Sequence, residues 1–583
     1  MVKRPAVICR GNANGVPAAL ADAVDGELIV AKGGNVLPAL QSAFREGRPI
    51  VTNLAAPIVI RALAPLLGGK FSDPPVVATS YDAQFIVPLL GLSHGARKLA
   101  KTISEKLFKT LVTFGGTPTY FSAGNALDDT PDGYLLSNHE DYKDFAVAVL
   151  DGEPVRIEGN APWLSELPQS PNAKLKITIT EKDIPGSAEH LVYIRKTLAI
   201  GIGCERGVTR EEVTGLIENV LTKNRLHRFA IACHATIDIK EDEQALRPMF
   251  DLNESFRLFS AAELEAQMHK VPNPSQVVRA EVGVASVAEA AALAAAGPDS
   301  ELIVTKVKSK RVTCAVAKSP TPISLQYGRR AGNLAIVGVG PGGGEMRSPA
   351  ASSALWHASD WVGYGLYLDL VADLKTSHVE HRFPLGGEED RVRHAIALAK
   401  EGKQVALVCS GDAGIYAMAA LVYEIIDLEP NRIAVNVIPG ISAFQAAAAK
   451  AGAMIGHDFC CISLSDLLTP WEVIERRLRA AAEGDFVISF YNPRSLKRRD
   501  QLERAFAILA QHRPPETPVI IATNLGRPEE KLKIVPFSDF NPDDVDMLTL
   551  VMVGASQSKS FTRGDGQTYA YTPRGYAKKR EMQ

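Results

Sequence analysis

Residues 333–344 read NLAIVGVGPGGG, an apolar run that leads directly into a glycine-rich loop. A short apolar run ended by small residues is typical of a strand buried in a parallel sheet. Similar runs end in small or polar residues farther along the chain, namely VALVCSG (405–411), VNVIPG (435–440), DFVISFYN (485–492) and PVIIATN (518–524). Ligands of such sheets bind at the carboxyl ends of the strands, so these ends predict one shared cleft.

The composition of the whole chain is that of a folded globular protein. It has 583 residues, of which 46% are hydrophobic and 22% charged, and this length exceeds what one hydrophobic core usually supports. The net charge of -2 provides no overall field that would attract nucleic acid or an anionic membrane. No run of about 18 apolar residues and no secretion signal is found. We therefore expect a cytoplasmic protein without nucleic-acid or membrane partners.

The seven cysteines predict neither a disulfide framework nor a metal site. They are odd in number and contain no C-x-x-C pair, and no His and Cys residues cluster at the spacing of metal ligands. We expect reduced and mostly buried thiols, and no metal held by protein ligands.

Strand and helix patterns alternate along most of the chain, which predicts a multidomain α/β protein. Prolines interrupt the pattern between Arg156 and His190, and SPTPISLQYGRRAGN (319–333) has the composition of a linker. The predicted boundaries are 1–130 for a first α/β domain, 131–189 for a small middle region or linker, 190–318 for a second α/β domain, 319–333 for a linker, and 334–440 and 441–583 for two subdomains of a C-terminal α/β module.

The glycine loop also permits a second interpretation, a dinucleotide site. Gly338, Gly340 and Gly343 satisfy G-x-G-x-x-G directly after a strand. A nicotinamide cofactor also needs an acidic residue about 20 positions on, at the end of the second strand, where it reaches the ribose. Asp360 has the spacing but precedes its strand, and Pro341 removes a backbone donor from the loop. The pattern disfavours a nicotinamide-dependent oxidoreductase without excluding it.

Six stretches of the C-terminal module together carry a family resemblance. They are GVGPGGG (338–344), SGDAGIYAMA (410–419), VIPGISAFQAAAAKAG (437–452), GHDFCCISLSDLLTPWEVIERRL (456–478), FYNPRSLKRRDQL (490–502) and TPRGY (572–576). The series resembles the tetrapyrrole methylases and, within them, the precorrin-3B C(17)-methyltransferases of vitamin B12 synthesis. The resemblance implies two domains that meet at a cleft and S-adenosyl-L-methionine as the methyl donor. It also implies methylation at C-17 with ring contraction of precorrin-3B or its cobalt form, cobalt-factor III.

The resemblance further implies which residues line the cleft. Those expected at the methyl donor are Gly340, Pro341, Gly342, Gly411, Asp412, Ile415, Tyr416, Ser465, Asp466, Tyr491, Asn492 and Asn524. Ring contraction requires proton movement on substrate oxygens, and Asp412, Asp466 and His457 are the candidate catalytic residues for it. A helix cap remains the alternative for Asp412, and a turn residue for His457.

A substrate of this class carries many carboxylates, so cations are expected in its cleft. Arg494 and Arg498 follow a strand end and Arg574 belongs to the closing TPRGY, which makes all three candidate substrate contacts. A solvated helix face is the alternative for Arg494 and Arg498. A homodimer, the commonest soluble assembly, stays open.

The front half carries a second resemblance. GIGCERGVTREEV (201–213) and HATIDIKEDE (234–243) resemble the C-terminal domain of the cobalt-precorrin-5A hydrolase (CbiG) family, and IRALAPLLGGKFSDPPVV (60–77) resembles its N-terminal domain. Members of that family open a lactone, which requires an activated water and a stabilised leaving oxygen. The candidates are Glu205, Arg206, His234, Lys240 and Glu243. Arg97 stands where the family usually has asparagine, which leaves a binding or delivery role open.

Together the two resemblances predict a bifunctional enzyme of corrin synthesis. Its C-terminal half would methylate and contract the macrocycle, and its N-terminal half would hydrolyse the lactone of a corrin intermediate or bind that intermediate. A non-catalytic tetrapyrrole carrier and a nicotinamide-dependent oxidoreductase are the alternatives.

Overall fold

The computed structural model describes residues 4–10, 14–31, 36–69, 72–92, 95–112, 127, 130–247, 249, 255–325, 327–495 and 500–576. The chain forms two compact units, Met1–Ala331 and Gly332–Gln583. Both units combine sheets with helices, which confirms the predicted multidomain α/β fold. No described helix is long and apolar enough to cross a membrane.

The first unit begins with a six-stranded sheet. Its strands are β1 (Ala6–Arg10), β2 (Glu27–Ala31), β3 (Ile50–Thr52), β4 (Val76–Thr79), β5 (Phe85–Leu90) and β6 (Thr110–Leu111). The accompanying helices are α1 (Val16–Val24), α2 (Val36–Arg45), α3 (Ala56–Leu63) and α4 (Ala96–Leu107). The strand order is β2-β1-β3-β4-β5-β6, and β1 to β4 pair in parallel, as expected of βα units.

A four-stranded sheet follows, in the order β7-β10-β9-β8 once its strands are numbered along the chain. They are β7 (Tyr134–Leu136), β8 (Val155–Glu158), β9 (Leu175–Thr180) and β10 (His190–Arg195), with helix α5 (Tyr142–Leu150). Most of this sheet lies in 131–189, the predicted small middle region or linker, and β9 lies between Arg156 and His190, where the prolines favour a loop or small subdomain over a packed layer. Alternate residues of β9 are buried, Leu175, Ile177 and Ile179, and the prolines of this region lie outside the strands.

The third sheet of the unit contains β11 (Leu198–Cys204), β12 (Ile231–Ile237), β13 (Phe256–Phe259), β14 (Glu301–Lys308) and β15 (Val312–Lys318). Its helices are α6 (Arg210–Lys223), α7 (Ala261–Glu265), α8 (Gln276–Val282) and α9 (Val287–Ala296). The order is β13-β12-β11-β15-β14, and β11, β12 and β13 are parallel. Every residue of the alanine-rich α9 is buried, because its backbone lies directly on the sheet.

The second unit begins with a five-stranded parallel sheet. Its strands are β16 (Asn333–Gly338), β17 (Asp360–Tyr364), β18 (Val379–Phe383), β19 (Gln404–Cys409) and β20 (Ala434–Ile438). Its helices are α10 (Pro349–His357), α11 (Gly365–Asp369), α12 (Glu388–Lys400) and α13 (Ala419–Leu428). The order is β18-β17-β19-β16-β20, so the five carboxyl ends lie along one edge.

Another five-stranded sheet completes this unit, with a small three-stranded sheet beside it. The strands are β21 (Gly452–Ala453), β22 (Phe459–Ser463), β23 (Val487–Tyr491), β24 (Pro518–Thr523), β25 (Lys531–Pro536), β26 (Thr549–Val553), β27 (Lys559–Thr562) and β28 (Thr568–Tyr571). The helices are α14 (Ala443–Ala451), α15 (Trp471–Glu483) and α16 (Gln501–Leu509). The larger sheet has the order β22-β23-β26-β24-β25. Its strands β22, β23 and β24 end at the same edge, since β26 is antiparallel to both of its neighbours.

Substitution of Gly201, in β11, tests the close packing of α9 on the third sheet. A Cβ atom at Gly201 would lie 1.8 Å from the carbonyl oxygen of Ala288, so we expect Gly201→Ala to lower the free energy of unfolding by about 2–3 kcal/mol. Gly215→Ala is the control, because a Cβ there meets nothing within 4 Å and alanine favours a helix by about 1 kcal/mol. Urea unfolding of both variants measures the difference. Equal stability of the two variants would contradict this packing.

Candidate active site

The site begins where the loops after β16 and β19 meet main chain to main chain. Gly340 N–H donates to the Gly411 carbonyl (3.1 Å), and Gly411 N–H donates to the Gly340 carbonyl (2.8 Å). Both residues have positive φ values, 83° and 68°, which glycine adopts without steric cost. A Cβ on Gly440, after β20, would lie only 2.2 Å from the Gly411 carbonyl oxygen. Three strand-end loops therefore depend on glycine to touch.

The Asp412 carboxylate joins two of these loops, because one oxygen bonds within its own loop and the other reaches the loop after β20. Its Oδ1 accepts from Gly414 N–H at 2.8 Å, and its Oδ2 accepts from Gly440 N–H at 3.0 Å. Charge-assisted hydrogen bonds of this kind are stronger than neutral ones. The geometry therefore gives Asp412 a positioning role between the loops after β19 and β20.

Two tyrosines connect the edges of the two five-stranded sheets. Tyr416, in the loop after β19, donates its hydroxyl to the Cys461 carbonyl in β22 at 2.8 Å. Tyr491, at the end of β23, shares a 2.5 Å hydrogen bond with the Ser442 hydroxyl, and its ring centroid lies 5.2 Å from that of Tyr416. Burial raises the pKa of Tyr491 to about 12, so its hydroxyl is neutral near pH 7.

The remaining predicted residues of the second edge follow β22, β23 and β24. Asn492 donates to the Ser463 hydroxyl at 3.1 Å, and the same hydroxyl accepts from Ser465 N–H at 3.3 Å. Asp466 is exposed, and its Oδ2 accepts from Gln501 at 2.8 Å. Tyr416, Asn492 and Asn524 have φ values of 51°, 48° and 52°, a conformation that costs free energy outside glycine and is concentrated at functional sites.

Arg527 is a residue of this site that the sequence reasoning missed. Its Nε donates to the Pro341 carbonyl at 2.9 Å and its Nη2 to the Ser410 hydroxyl at 3.1 Å. Next to it, Gly343 N–H donates to the Gly526 carbonyl at 2.6 Å. The available signal was its position, three residues after the strand end at Asn524.

His457 and Arg574 lie away from these loops. His457 is in the turn before β22, and Ser463 ends that strand six positions later, a separation of up to about 20 Å at about 3.3 Å per residue. It is exposed and contacts Asp458, with 3.0 Å between Nδ1 and Oδ2. Arg574 is exposed in the segment after β28, where Thr572 N–H donates to the Ala453 carbonyl beside the same turn.

Of the other two predicted cations, Arg494 is paired and Arg498 is not among the described residues. Arg494 donates to the Pro542 carbonyl at 2.6 Å and to the Asp543 carboxylate at 2.8 Å, so its charge is already neutralised within the chain. Arg498, with its neighbours Lys497 and Arg499, lies outside the described residues. Asp360 lies at the amino end of β17, where its Oδ1 accepts from His381 Nε2 at 2.9 Å, so it cannot take the ribose position of a dinucleotide site.

Four of the five front-half candidates gather where β11 and β12 end. Arg206 donates to Asp242 at 2.5 Å and to the Ile239 carbonyl at 2.6 Å. Buried Glu243 accepts from Gly207 N–H at 3.2 Å, and its Oε2 lies 3.8 Å from Arg206 Nη1. Lys240 is also buried, and Glu205 directly precedes Arg206 in the loop after β11.

His234 and Cys204 have little chemistry available to them near pH 7. His234 lies in the middle of β12, stacked on Phe256 at 6.1 Å, and burial lowers its pKa to about 4. The strand places it several residues before the end that Lys240 follows. Burial raises the pKa of Cys204 to about 11, which keeps it a thiol rather than a nucleophilic thiolate.

Three models of known protein families match parts of this chain. The family model described as tetrapyrrole (corrin/porphyrin) methylases matches residues 333–541. The models for the cobalamin synthesis G N-terminal region and the cobalamin synthesis G C-terminus match 38–116 and 198–317.

Individual relatives match the second unit. The chain is 41% identical over 249 residues to the precorrin-3B C(17)-methyltransferase of Sinorhizobium sp, which covers 42% of this chain and 98% of that protein. It is 44% identical over 243 residues to the probable cobalt-factor III C(17)-methyltransferase of Salmonella typhimurium, covering 42% and 99%. A solved structure, the methyltransferase CobJ, is 39% identical and covers 42% of this chain and 100% of that one, with a TM-score of 0.39.

Asp412→Asn tests the positioning role of this carboxylate. The amide would turn one NH2 group toward Gly414 N–H or Gly440 N–H, so we expect the free energy of unfolding to fall by about 1.5–3 kcal/mol. Asp427→Asn, on the exposed side of α13, is the matched control and should change it by less than about 0.5 kcal/mol. Urea unfolding distinguishes the two. Full stability of Asp412→Asn would contradict the role.

Proposed function

Because the chain belongs to the tetrapyrrole methylase family, we propose that its second unit methylates C-17 of precorrin-3B, or of cobalt-factor III, with S-adenosyl-L-methionine and contracts the ring. The observation that carries this proposal is the identity of 41% and 44% to two C(17)-methyltransferases over nearly their full length. The strand-end loops that meet around Gly340 and Gly411 support the same location for the site.

The loops offer room and suitable surfaces for the methyl donor. A Cβ on Gly411 would meet only Ser442 and Ala443, at 3.9–4.0 Å, which is ordinary van der Waals contact, so an added atom fits there without a clash. The rings of Tyr416 and Tyr491 lie at its side, and aromatic faces attract a positively charged group such as a sulfonium. When bound, S-adenosyl-L-methionine would supply an electrophilic methyl group on that sulfonium. Gly411, Asp412, Ile415, Tyr416, Tyr491 and Asn492 are the residues proposed to hold it.

The protein groups themselves position reactants and hold protons. Methyl transfer needs in-line placement and exclusion of water more than a strong base. Asp412 contributes placement, since both of its oxygens are engaged by backbone N–H groups. Asp466 is better suited to proton transfer in ring contraction, because only its Oδ2 is occupied, by Gln501, among the described residues. The neutral Tyr491 hydroxyl can donate a hydrogen bond but not act as a base.

For the first unit we propose lactone hydrolysis or binding of a corrin intermediate. The two cobalamin synthesis G models support this reading, as does the group formed by Arg206, Lys240 and Glu243 at the ends of β11 and β12. Incubation of the full chain with cobalt-precorrin-5A distinguishes the two, because hydrolysis of the lactone releases acetaldehyde and binding alone does not. The cytoplasmic location and a homodimer stay predictions.

The main test incubates the full chain with methyl-labelled S-adenosyl-L-methionine and precorrin-3B, with and without cobalt, and weighs the tetrapyrrole by mass spectrometry. We expect a gain of one labelled methyl. In Gly414→Leu the new Cβ would lie 3.3 Å from Asp412 Oδ1, so we expect it to disturb the proposed donor loop and lower kcat/KM at least about tenfold, whereas Gly564→Leu has open space around it and serves as control. A tetrapyrrole that binds but gains no methyl would contradict the proposal and favour a carrier.

A further inference from the structure

Arg527 carries a positive charge into the middle of the candidate site. It lies on the loop after β24, yet its guanidinium reaches the loops after β16 and β19, where it donates to the Pro341 carbonyl and the Ser410 hydroxyl. The side chain is only partly exposed, and burial lowers its pKa from that of a free arginine. Its charge has therefore lost part of its hydration.

This cation has no anionic partner in the part of the chain that the structure describes. The ionisable groups that influence the pKa of Arg527 are Tyr367 and Tyr364, and no carboxylate pairs with it. Glu530, three residues on, is already engaged by Gly526 N–H at 2.5 Å and by Lys450 at 2.7 Å. Removing a charge from water without a partner is unfavourable, so an unpaired, partly buried guanidinium beside a cleft is poised to accept an anion.

A nearby arginine shows what the paired arrangement looks like. Arg347 lies just beyond the same glycine loop, and its guanidinium donates two hydrogen bonds to the Asp373 carboxylate, from Nη1 at 2.9 Å and from Nη2 at 2.5 Å. The acceptors of Arg527 are neutral instead, the Pro341 carbonyl for Nε and the Ser410 hydroxyl for Nη2. Its Nη1 has no partner among the described residues. The fork is thus oriented by the protein with one donor group left over.

We propose that Arg527 binds a carboxylate of a ligand in the cleft. The proposal rests on the proposed function, whose two ligands both supply this chemistry. One source is a peripheral carboxylate of the tetrapyrrole, and the other is the amino-acid carboxylate of the methyl donor. A charge-assisted hydrogen bond to a carboxylate contributes roughly 1.5–3 kcal/mol, which corresponds to a change of about 10- to 150-fold in affinity.

The test compares Arg527→Gln, Arg527→Lys and the wild-type full chain by titration with two ligands separately, S-adenosylhomocysteine and precorrin-3B. Arg393→Gln is the control, since that arginine is exposed on α12 and paired with Glu389 and Glu429. Arg527→Gln should raise the Kd of one ligand at least about tenfold and leave that of the other within about twofold. Arg527→Lys, which keeps the charge, should be weakened less.

The salt dependence separates charge recognition from a purely structural role. For the affected ligand, sodium chloride should weaken binding to the wild type more steeply than to Arg527→Gln, because the variant lacks one of the paired charges. Loss of affinity for precorrin-3B identifies the tetrapyrrole as the source, and loss for S-adenosylhomocysteine identifies the donor. Unchanged Kd values for both ligands, or equal salt slopes, would overturn the inference alone. Failure of the wild type to bind either ligand would instead overturn the proposed function.

Discussion

The paired hydrogen bonds between Gly340 and Gly411 are the constraint on which the candidate site depends. They hold two strand-end loops at main-chain contact, where a Cβ on Gly340 would lie 2.5 Å from the Met346 carbonyl oxygen and Gly411 has a φ of 68° that favours glycine. Gly440 joins the same contact from a third strand, and Asp412 accepts one hydrogen bond within its own loop, from Gly414, and one from Gly440 in the loop after β20. Gly340 and Gly440 are therefore required by packing, and Gly411 is required by its backbone conformation.

The second sheet contributes the opposite wall through a few long-range contacts. Tyr416 reaches Cys461, Tyr491 reaches Ser442, and Arg527 reaches Pro341, so each wall holds side chains of the other in place. Tyr416, Asn492 and Asn524 adopt left-handed backbone conformations at these points, each of which costs on the order of 1–3 kcal/mol. Such conformations persist only where the surrounding contacts determine them. The residues at the cleft edges are thus held in place by long-range contacts, although their backbone conformations are locally unfavourable.

The sequence predicted the strands and the residues at their ends, because apolar runs ended by small residues are local signals. The family resemblance grouped Gly411, Tyr416, Tyr491 and Asn492, which lie together in the structure, and the ligand they bind stays a prediction. His457 was grouped with them through the resemblance, but it precedes β22 and so lies at the other edge of the sheet. Arg527 could not be found locally, since its partner Pro341 is 186 positions away. The prolines between Arg156 and His190 masked the pattern of β9, a strand whose alternate residues are buried.

The most direct measurement is an experimental structure of the full chain with S-adenosylhomocysteine bound. The account predicts the ligand over Gly411, beside the rings of Tyr416 and Tyr491 and in contact with the loops that Asp412 joins. A ligand bound away from the strand-end loops of the second unit would contradict it, because the glycine contact would then serve the packing of the fold without forming a donor site.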